Sequence, residues 1–249
     1  MFSPFFSLLL ASMIIGQGVA EQPIVKPSPW KHAAGAFGSW SAGNSDFLEI
    51  GGKGKSSFEW RRKFKLSTKE ELYYWKSHQY DGLKALGQLR FDHTLNEYVG
   101  YFALSSARHE EDKKIELELE ESGGLSLFLY KSYLIFETRA GYGYKERSNA
   151  SPVEHSWVAG HSLYTWIPIS EWLTWTTDIL YTYPAYSSRL KTFFNFKDGW
   201  IWIGTRLQAS ALKNLYFYVE FNDSYVPRPG TGVKAHDLYT RFGFDYWFP

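Results

Sequence analysis

The sequence predicts an all-β protein: a single antiparallel transmembrane β-barrel of about twelve strands. Three observations predict it. The last segment, Leu238 to Phe248, alternates without a break. Leu238, Thr240, Phe242, Phe244, Tyr246 and Phe248 fall on one face, and Tyr239, Arg241, Gly243, Asp245 and Trp247 on the other. Successive side chains of a strand point to opposite faces. An aromatic face backed by one bearing Arg and Asp suits lipid on one side and a polar lumen on the other. Aromatics make up 19% of the 249 residues, with Trp 11 and Tyr 18. Barrels use Trp and Tyr as girdles at both membrane interfaces. Beyond the N-terminus, no apolar run approaches the ~20 residues that a spanning helix needs. Mean hydropathy is negative, so a membrane protein of this composition has to close into a barrel to satisfy its backbone groups in lipid.

The elements follow in order. Phe5 to Ile15 is apolar, and Gly16, Gln17, Gly18, Val19 and Ala20 precede the first charge, Glu21. A short apolar core followed by small residues reads as a signal peptide over residues 1–20, although a positive n-region is missing. The competing reading is an anchoring helix, against which stand the short run and its break at Gly16 and Gly18. Pro23, Pro27 and Pro29 keep residues 21–30 extended. The barrel domain then covers residues 31–249.

Strands one and two are expected over His32–Ser41 and Phe47–Phe64, joined by a tight turn at Gly43, Asn44, Ser45 and Asp46. In strand two, Leu48, Ile50, Gly52, Gly54, Phe58 and Trp60 face out, and Glu49, Lys53, Lys55, Glu59, Arg61 and Lys63 face in. Strands three to five follow at Glu70–Gln79, Leu83–Phe91 and Asn96–Arg108. Strand six, Lys114 to Leu129, places Ile115, Leu117, Leu119, Leu125, Leu127 and Leu129 outward. Lys114, Glu116, Glu118, Glu120, Ser122 and Ser126 then face inward. A helix would scatter those leucines round its surface, so the period is that of a strand.

Strand seven, Tyr133–Lys145, faces Glu137, Arg139 and Lys145 inward. Strands eight and nine are Val153–Trp166 and Glu171–Tyr183. Strand ten is long, Arg189 to Ala211, with a bulge near Asp198–Gly199 and Arg206, Gln208 and Ser210 inward. A hairpin there would make the strand count odd. Strands eleven and twelve are Leu215–Asn222 and the terminal segment. With an even count both chain ends lie on the periplasmic side. The turns there are short: Leu66–Lys69, His93–Leu95, Lys131–Ser132, Pro168–Ser170 and Leu212–Asn214. The outer loops include His109–Lys113, Glu146–Pro152, Pro184–Ser188 and the longest, Asp223–His236.

Two resemblances add to this reading. Arg241, Gly243, Tyr246 and Phe248 resemble the C-terminal insertion signal of bacterial outer-membrane proteins, although Pro249 follows the terminal aromatic. Further motifs are Gly43–Asn44–Ser45, Gly123–Gly124–Leu125, Gly141–Tyr142–Gly143–Tyr144 and Asn222–Asp223–Ser224, followed by Pro227, Pro229, Gly230, Lys234 and Asp237. Together they resemble the YdiY-like salt-induced outer-membrane proteins of Gram-negative bacteria, a family defined by a domain of unknown function. The resemblance covers roughly residues 31–248 by motif order. It implies an outer-membrane barrel linked to salt or osmotic stress, with no catalytic residues or cofactor to carry over. Outer-membrane lipid and the barrel-assembly machinery are its expected partners.

The candidate functional residues are the lumen charges Arg90, Glu116, Glu118, Glu120, Glu137, Arg139 and Arg206, with Lys84 and Lys145 beside them. They suit a lumen that passes small ions or solutes, or a paired network that plugs a narrow barrel, since twelve strands lie well below the 16–18 of open porins. The expected role is non-enzymatic, structural or narrow-pore.

Two rivals stay open. A surface barrel hydrolase acting on lipid or peptide would draw on His155, His161 and Ser162, or on His236 beside Asp237. No G-x-S-x-G motif and no H-E-x-x-H metal spacing supports it. A soluble calycin-like barrel would reverse the faces, with the apolar side inward. The net charge of +1 gives no sign of a nucleic-acid partner. The absence of cysteine excludes disulfides and a lipid-attachment cysteine.

Overall fold

The computed structural model describes residues 30–42, 47–61, 63–77, 81–111, 115–130, 133–148, 153–187, 192–193, 199–225 and 236–248. The proposed signal peptide, most of the extended segment, the turn at 43–46, residues 112–114, 149–152 and 226–235 of the expected outer loops, and Pro249 lie outside these residues. Within them the chain is all strand: β1 (Trp30–Ala42), β2 (Phe47–Trp60), β3 (Phe64–Ser77), β4 (Asp81–Thr94), β5 (Val99–Glu110), β6 (Ile115–Leu129) and β7 (Leu134–Arg147) come first. They are followed by β8 (Glu154–Pro168), β9 (Leu173–Ser187), β10 (Thr192–Phe193), β11 (Trp200–Leu212), β12 (Leu215–Tyr225) and β13 (His236–Trp247). Among the described residues no helix is long and apolar enough to cross a membrane.

All pairings are antiparallel between neighbours, and β13 returns to pair with β1 through ten residues, from Ala33↔Trp247 to Ala42↔Leu238. With β8 on β9 and β9 on β11, twelve long strands close into a barrel. Closure pairs each of the twelve long strands on both sides, the condition for a sheet to survive in lipid.

The long tenth strand expected from the sequence is described in two pieces, β10 and β11, and residues 194–198 between them, with Asp198 of the expected bulge, lie outside the described residues. β10 pairs with Ser187 and Tyr186 of β9, and β11 resumes on the same strand at Trp200↔Thr182. Both pieces run antiparallel to β9, so the parity of the barrel holds. Between the stretches of β9 that pair with β10 and β11 lies Pro184, and the β8 register slips there between Trp157 and Val158. A proline donates no ladder bond and is tolerated at such irregularities.

Several turn positions differ from expectation. The turn expected at Leu66–Lys69 lies earlier, over residues 61–63, and Leu66–Lys69 are inside β3. Trp60 and Phe64 pair across the hairpin, their rings 5.4 Å apart. Arg61 turns the chain at φ 53, and the Lys63 N–H donates to the Trp60 carbonyl at 3.2 Å. Arg61 and Lys63 are therefore exposed turn residues, not lumen charges. The next short turn spans 95–98, where the Asn96 side chain accepts from the N–H groups of Tyr98 and Val99 at 2.8 and 2.9 Å. That local side-chain bond is the reason the chain leaves the sheet there. β12 continues past the expected end at Asn222 through Tyr225, so Asp223 and Ser224 belong to the barrel wall and not to the loop.

The outward set is apolar and exposed, and includes Leu72, Leu89, Leu125, Leu207, Phe217 and Phe242. Trp30, Trp60, Tyr130 and Trp172 ring the end that holds both termini; Trp40, Tyr74, Tyr142 and Trp157 ring the other. The buried set is largely polar and lies inside: Glu49, Lys53, Glu71, Lys84, Glu110, Glu220, Arg241 and Asp245. Apolar outside and charged inside is the reverse of a soluble ligand-binding barrel. It is the arrangement lipid requires.

Candidate functional site: a charged lumen

Inward alternation brings the lumen side chains together by cross-strand register. One row runs Tyr218, Gly243, Phe37, Gly51 and Tyr73 across five neighbouring strands. Rings and glycines alternate, which lets each ring lie over its neighbour's backbone. A Cβ at Gly243 would stand 2.5 Å from the Tyr218 hydroxyl, and one at Gly51 2.7 Å from Phe37. The Arg241 guanidinium caps Phe37 at 4.1 Å from the ring centroid. Lys53 and Arg206 lie 3.8 and 4.1 Å from the Tyr218 centroid. Such stacking holds a partly desolvated cation against the ring quadrupole.

The charges join into networks. Glu49 accepts from Ser39 Oγ at 2.6 Å and lies 4.0 Å from Lys84 and 3.9 Å from Arg241. Lys84 reaches Glu110 at 3.0 Å, and Arg241 reaches Glu71 at 3.6 Å. Asp245 sits between Lys53 at 2.7 Å and Arg206 at 3.5 Å, and Arg206 also donates through Nε to Glu220 at 2.9 Å. Across the barrel, Arg90 holds Glu137 by two bonds of 2.5 and 3.1 Å and donates through Nε to Asp92 at 2.8 Å. Ser126 and Ser162 donate to the same Glu137. Glu118 takes Arg108 and Lys145, the latter at 2.8 Å, and Arg139 faces Glu120 at 3.4 Å. Pairing is what permits so many charges away from bulk water.

Six of the seven expected lumen charges, Arg90, Glu118, Glu120, Glu137, Arg139 and Arg206, therefore line the interior in ion pairs. Glu116 is the exception and a correction. β6 slips register there against both neighbours: Arg108 pairs with Glu118 but Glu110 with Ile115, and Ile115 pairs with Arg147 but Leu117 with Glu146. The extra residue inverts the faces, so Ile115 is buried inside and Glu116 is exposed. Glu71, Arg108, Glu110 and Glu220 are lumen partners that the sequence reading does not single out. Period-two counting from the correct strand boundaries would have found them.

The insertion-signal residues divide by face: Arg241 and Gly243 point into the lumen, while Tyr246 and Phe248 are exposed outside. The Phe248 N–H still donates to the His32 carbonyl at 2.9 Å.

Among the described residues, His155, His161 and His236 do not assemble a nucleophile site. His161 is exposed on the outer wall, stacked on Phe136 at 5.9 Å, while Ser162 beside it points inward to Glu137. His155 bonds the Tyr142 hydroxyl. His236 binds the carboxylate of Asp223, not of Asp237, at 2.9 Å and packs on Tyr225. None of the side-chain hydrogen bonds of His236 among the described residues goes to a serine. No cluster of three or more His, Asp or Glu able to hold a metal occurs among the described residues.

The half of the lumen toward the termini keeps a cavity of about 390 Å³. Six cations line it, Lys31, Lys55, Lys65, Lys69, Arg90 and Arg139, against two acids, Glu137 and Asp178. Toward the loop end lie the ring-and-glycine row and the Glu49–Arg241–Glu71 network.

A closed antiparallel barrel with an aromatic-belted apolar wall and a charged lumen defines a transmembrane β-barrel protein. Solved structures agree on the fold. The chain is similar to the NanC porin, with TM-score 0.59 and 13% identity over 86% of this chain and 98% of that one. It is similar to an outer-membrane channel, COG4313, from Pseudomonas putida F1, with TM-score 0.57 and 9% identity over 92% and 100%. The KdgM porin aligns with TM-score 0.51 and 11% identity over 87% and 99%. At these identities the likeness is one of fold. No protein-family model matches the chain, and no curated protein sequence matches it.

Proposed function

We propose that this chain is a non-enzymatic outer-membrane barrel whose lumen forms a narrow, charge-lined passage, acting in the envelope under ionic or osmotic stress. The observation that carries the passage is the water-sized-to-solute-sized cavity in the terminal half of the lumen, lined by polar and charged side chains. A barrel built only as a plug has no need of an interior space of about 390 Å³. The outer-membrane setting is supported by the apolar, aromatic-belted wall and by the fold shared with porins and an outer-membrane channel. The link to salt stress rests on the YdiY-like motifs. Export by a signal peptide over residues 1–20 and delivery to the barrel-assembly machinery complete the reading.

A purely structural barrel is the second reading, favoured by the buried ion-paired network around Arg241. Planar-bilayer conductance of the refolded protein, after heat-modifiable migration on a gel confirms folding, separates the two. Discrete current steps whose ion selectivity shifts in Glu118→Gln or Arg139→Gln support the passage. A folded but silent barrel makes the structural reading the correct one.

A further inference from the structure

We propose that the terminal half of the lumen is a binding chamber for a small polyvalent anion, a solute carrying several carboxylate or phosphate groups. The inference deepens the passage reading by naming the class of solute, and so rests on it for its physiological meaning. The argument begins with register. Lys55 of β2 stands directly opposite Lys69 of β3, and its other cross-strand neighbour is Ala33. Like charges directly opposite each other on a sheet repel. Every other cross-strand lumen contact of this kind in the same wall is complementary or neutral: Lys53 faces Glu71, and Glu220 faces Arg241.

The partners of the six chamber cations sort them into two groups. Lys69, Arg90 and Arg139 are each matched, by Glu71 at 2.9 Å, Glu137 at 2.5 Å and Glu120 at 3.4 Å. Lys31, Lys55 and Lys65 form no ion pair among the described residues, although all three line the cavity. Of the two chamber acids, Glu137 is already held by Arg90, Ser126 and Ser162. Asp178 remains, on β9. Lys65 has Glu59 and Asp92 as its cross-strand neighbours at the mouth, so the surplus of positive charge left without an ion pair among the described residues centres on Lys31 and Lys55 of the β1–β2 wall, in a cavity large enough for a small-molecule ligand. A low-dielectric enclosure focuses that field and raises the local concentration of the opposite ion. Hydroxyls stand among the cations, Ser57 and Ser67 facing each other beside Lys55 and Lys69, and supply neutral donors to an oxyanion. A monovalent ion answers one lysine; a polyvalent anion answers the Lys55–Lys69 pair and one of the lysines at the mouth together.

Isothermal titration calorimetry of the detergent-folded barrel tests the chamber without requiring conduction. The probes are citrate and pyrophosphate at constant ionic strength, with chloride as the monovalent control. The expected result is saturable binding of one or both probes, weakened at least tenfold in Lys55→Gln and restored in Lys55→Arg. Lys55 has no ion pair among the described residues, so its neutral variant strands none of their carboxylates. Lys31→Gln, at the lumen mouth, is the second variant should the first fail to fold, and it too is expected to weaken binding. Citrate alone binding assigns the carboxylate class; pyrophosphate alone binding assigns the phosphate class. No saturable binding, or equal binding by wild type and the neutral lysine variants, overturns the proposal. Binding by a barrel that is silent in bilayers upholds the chamber and removes the passage. Conductance steps without probe binding do the opposite.

Discussion

Lys53 and Asp245 meet at 2.7 Å although their strands are not neighbours. β1 runs between them, and Gly35 is the register partner of both. The ion pair therefore crosses the closing seam of the barrel over a residue with no side chain. A Cβ at Gly35 would lie 2.5 Å from Asp245 Oδ1 and 2.2 Å from the Phe244 carbonyl oxygen. The seam between β1 and β13 is thus held by ladder bonds and spanned, from β2 to β13, by a charge pair that needs a glycine beneath it.

Removing one partner of that pair strands the other. Asp245→Ala is expected to destabilise the folded barrel by about 3–5 kcal/mol, the cost of leaving Lys53 and Arg206 without their shared carboxylate. Urea unfolding followed by tryptophan fluorescence measures it. Lys53→Met added to Asp245→Leu should recover much of the loss, since well-packed apolar replacements of a buried pair are tolerated. Gly35→Val should yield no heat-modifiable species at all.

The terminal signal and the barrel wall overlap in sequence but separate in mechanism. Gly243→Ala places a methyl group 2.4 Å from the Ala36 carbonyl oxygen and against Tyr218, so it should impair refolding in detergent as well as assembly in cells. Phe248→Ala removes only an exposed outer ring and should refold normally while lowering outer-membrane levels. Normal membrane levels of Phe248→Ala would falsify the insertion-signal reading.

Two glutamates two residues apart should behave oppositely. Glu118→Gln leaves Arg108 and Lys145 without their carboxylate and should shift ion selectivity toward anions. Glu116→Gln, outside the lumen, should leave conductance and selectivity unchanged. Reversal potentials in a salt gradient read both, and a shift in Glu116→Gln would place that side chain in the passage after all.

Lipid exposure makes its own forecast on β11. Leu207 is exposed on the outer wall at mid-strand, and Gln208 next to it points inward. Leu207→Arg should cost about 2–4 kcal/mol of folding stability in bilayers, the price of a cation near the midplane of a barrel's lipid face. Gln208→Arg should cost far less. Equilibrium folding into lipid vesicles compares the two.

The sequence by itself determined the class of fold, the face of most side chains and the polarity of the interior. A strand's period of two is a local property, and Leu238 to Phe248 states it without help from any neighbour. It also placed Arg90, Glu118, Glu120, Glu137, Arg139 and Arg206 inside, because alternation survives errors of a residue or two at strand ends. Tertiary structure decided what alternation cannot carry across an irregularity. At Ile115 and Glu116 an extra residue inverts the faces, and nothing in the local pattern marks it, since Ile–Glu–Leu–Glu reads as unbroken alternation. The turn at 61–63 likewise depends on Trp60 meeting Phe64, where charged residues on both sides offer no breaker. Pairing between strands far apart in the chain was decided there too, Asp245 with Lys53 over Gly35, as was the hairpin register that sets Lys55 opposite Lys69. The physical reason is that register between strands is a contest among whole ladders, settled by closure of the barrel and by which side chains fit over one another, and no single segment contains that information.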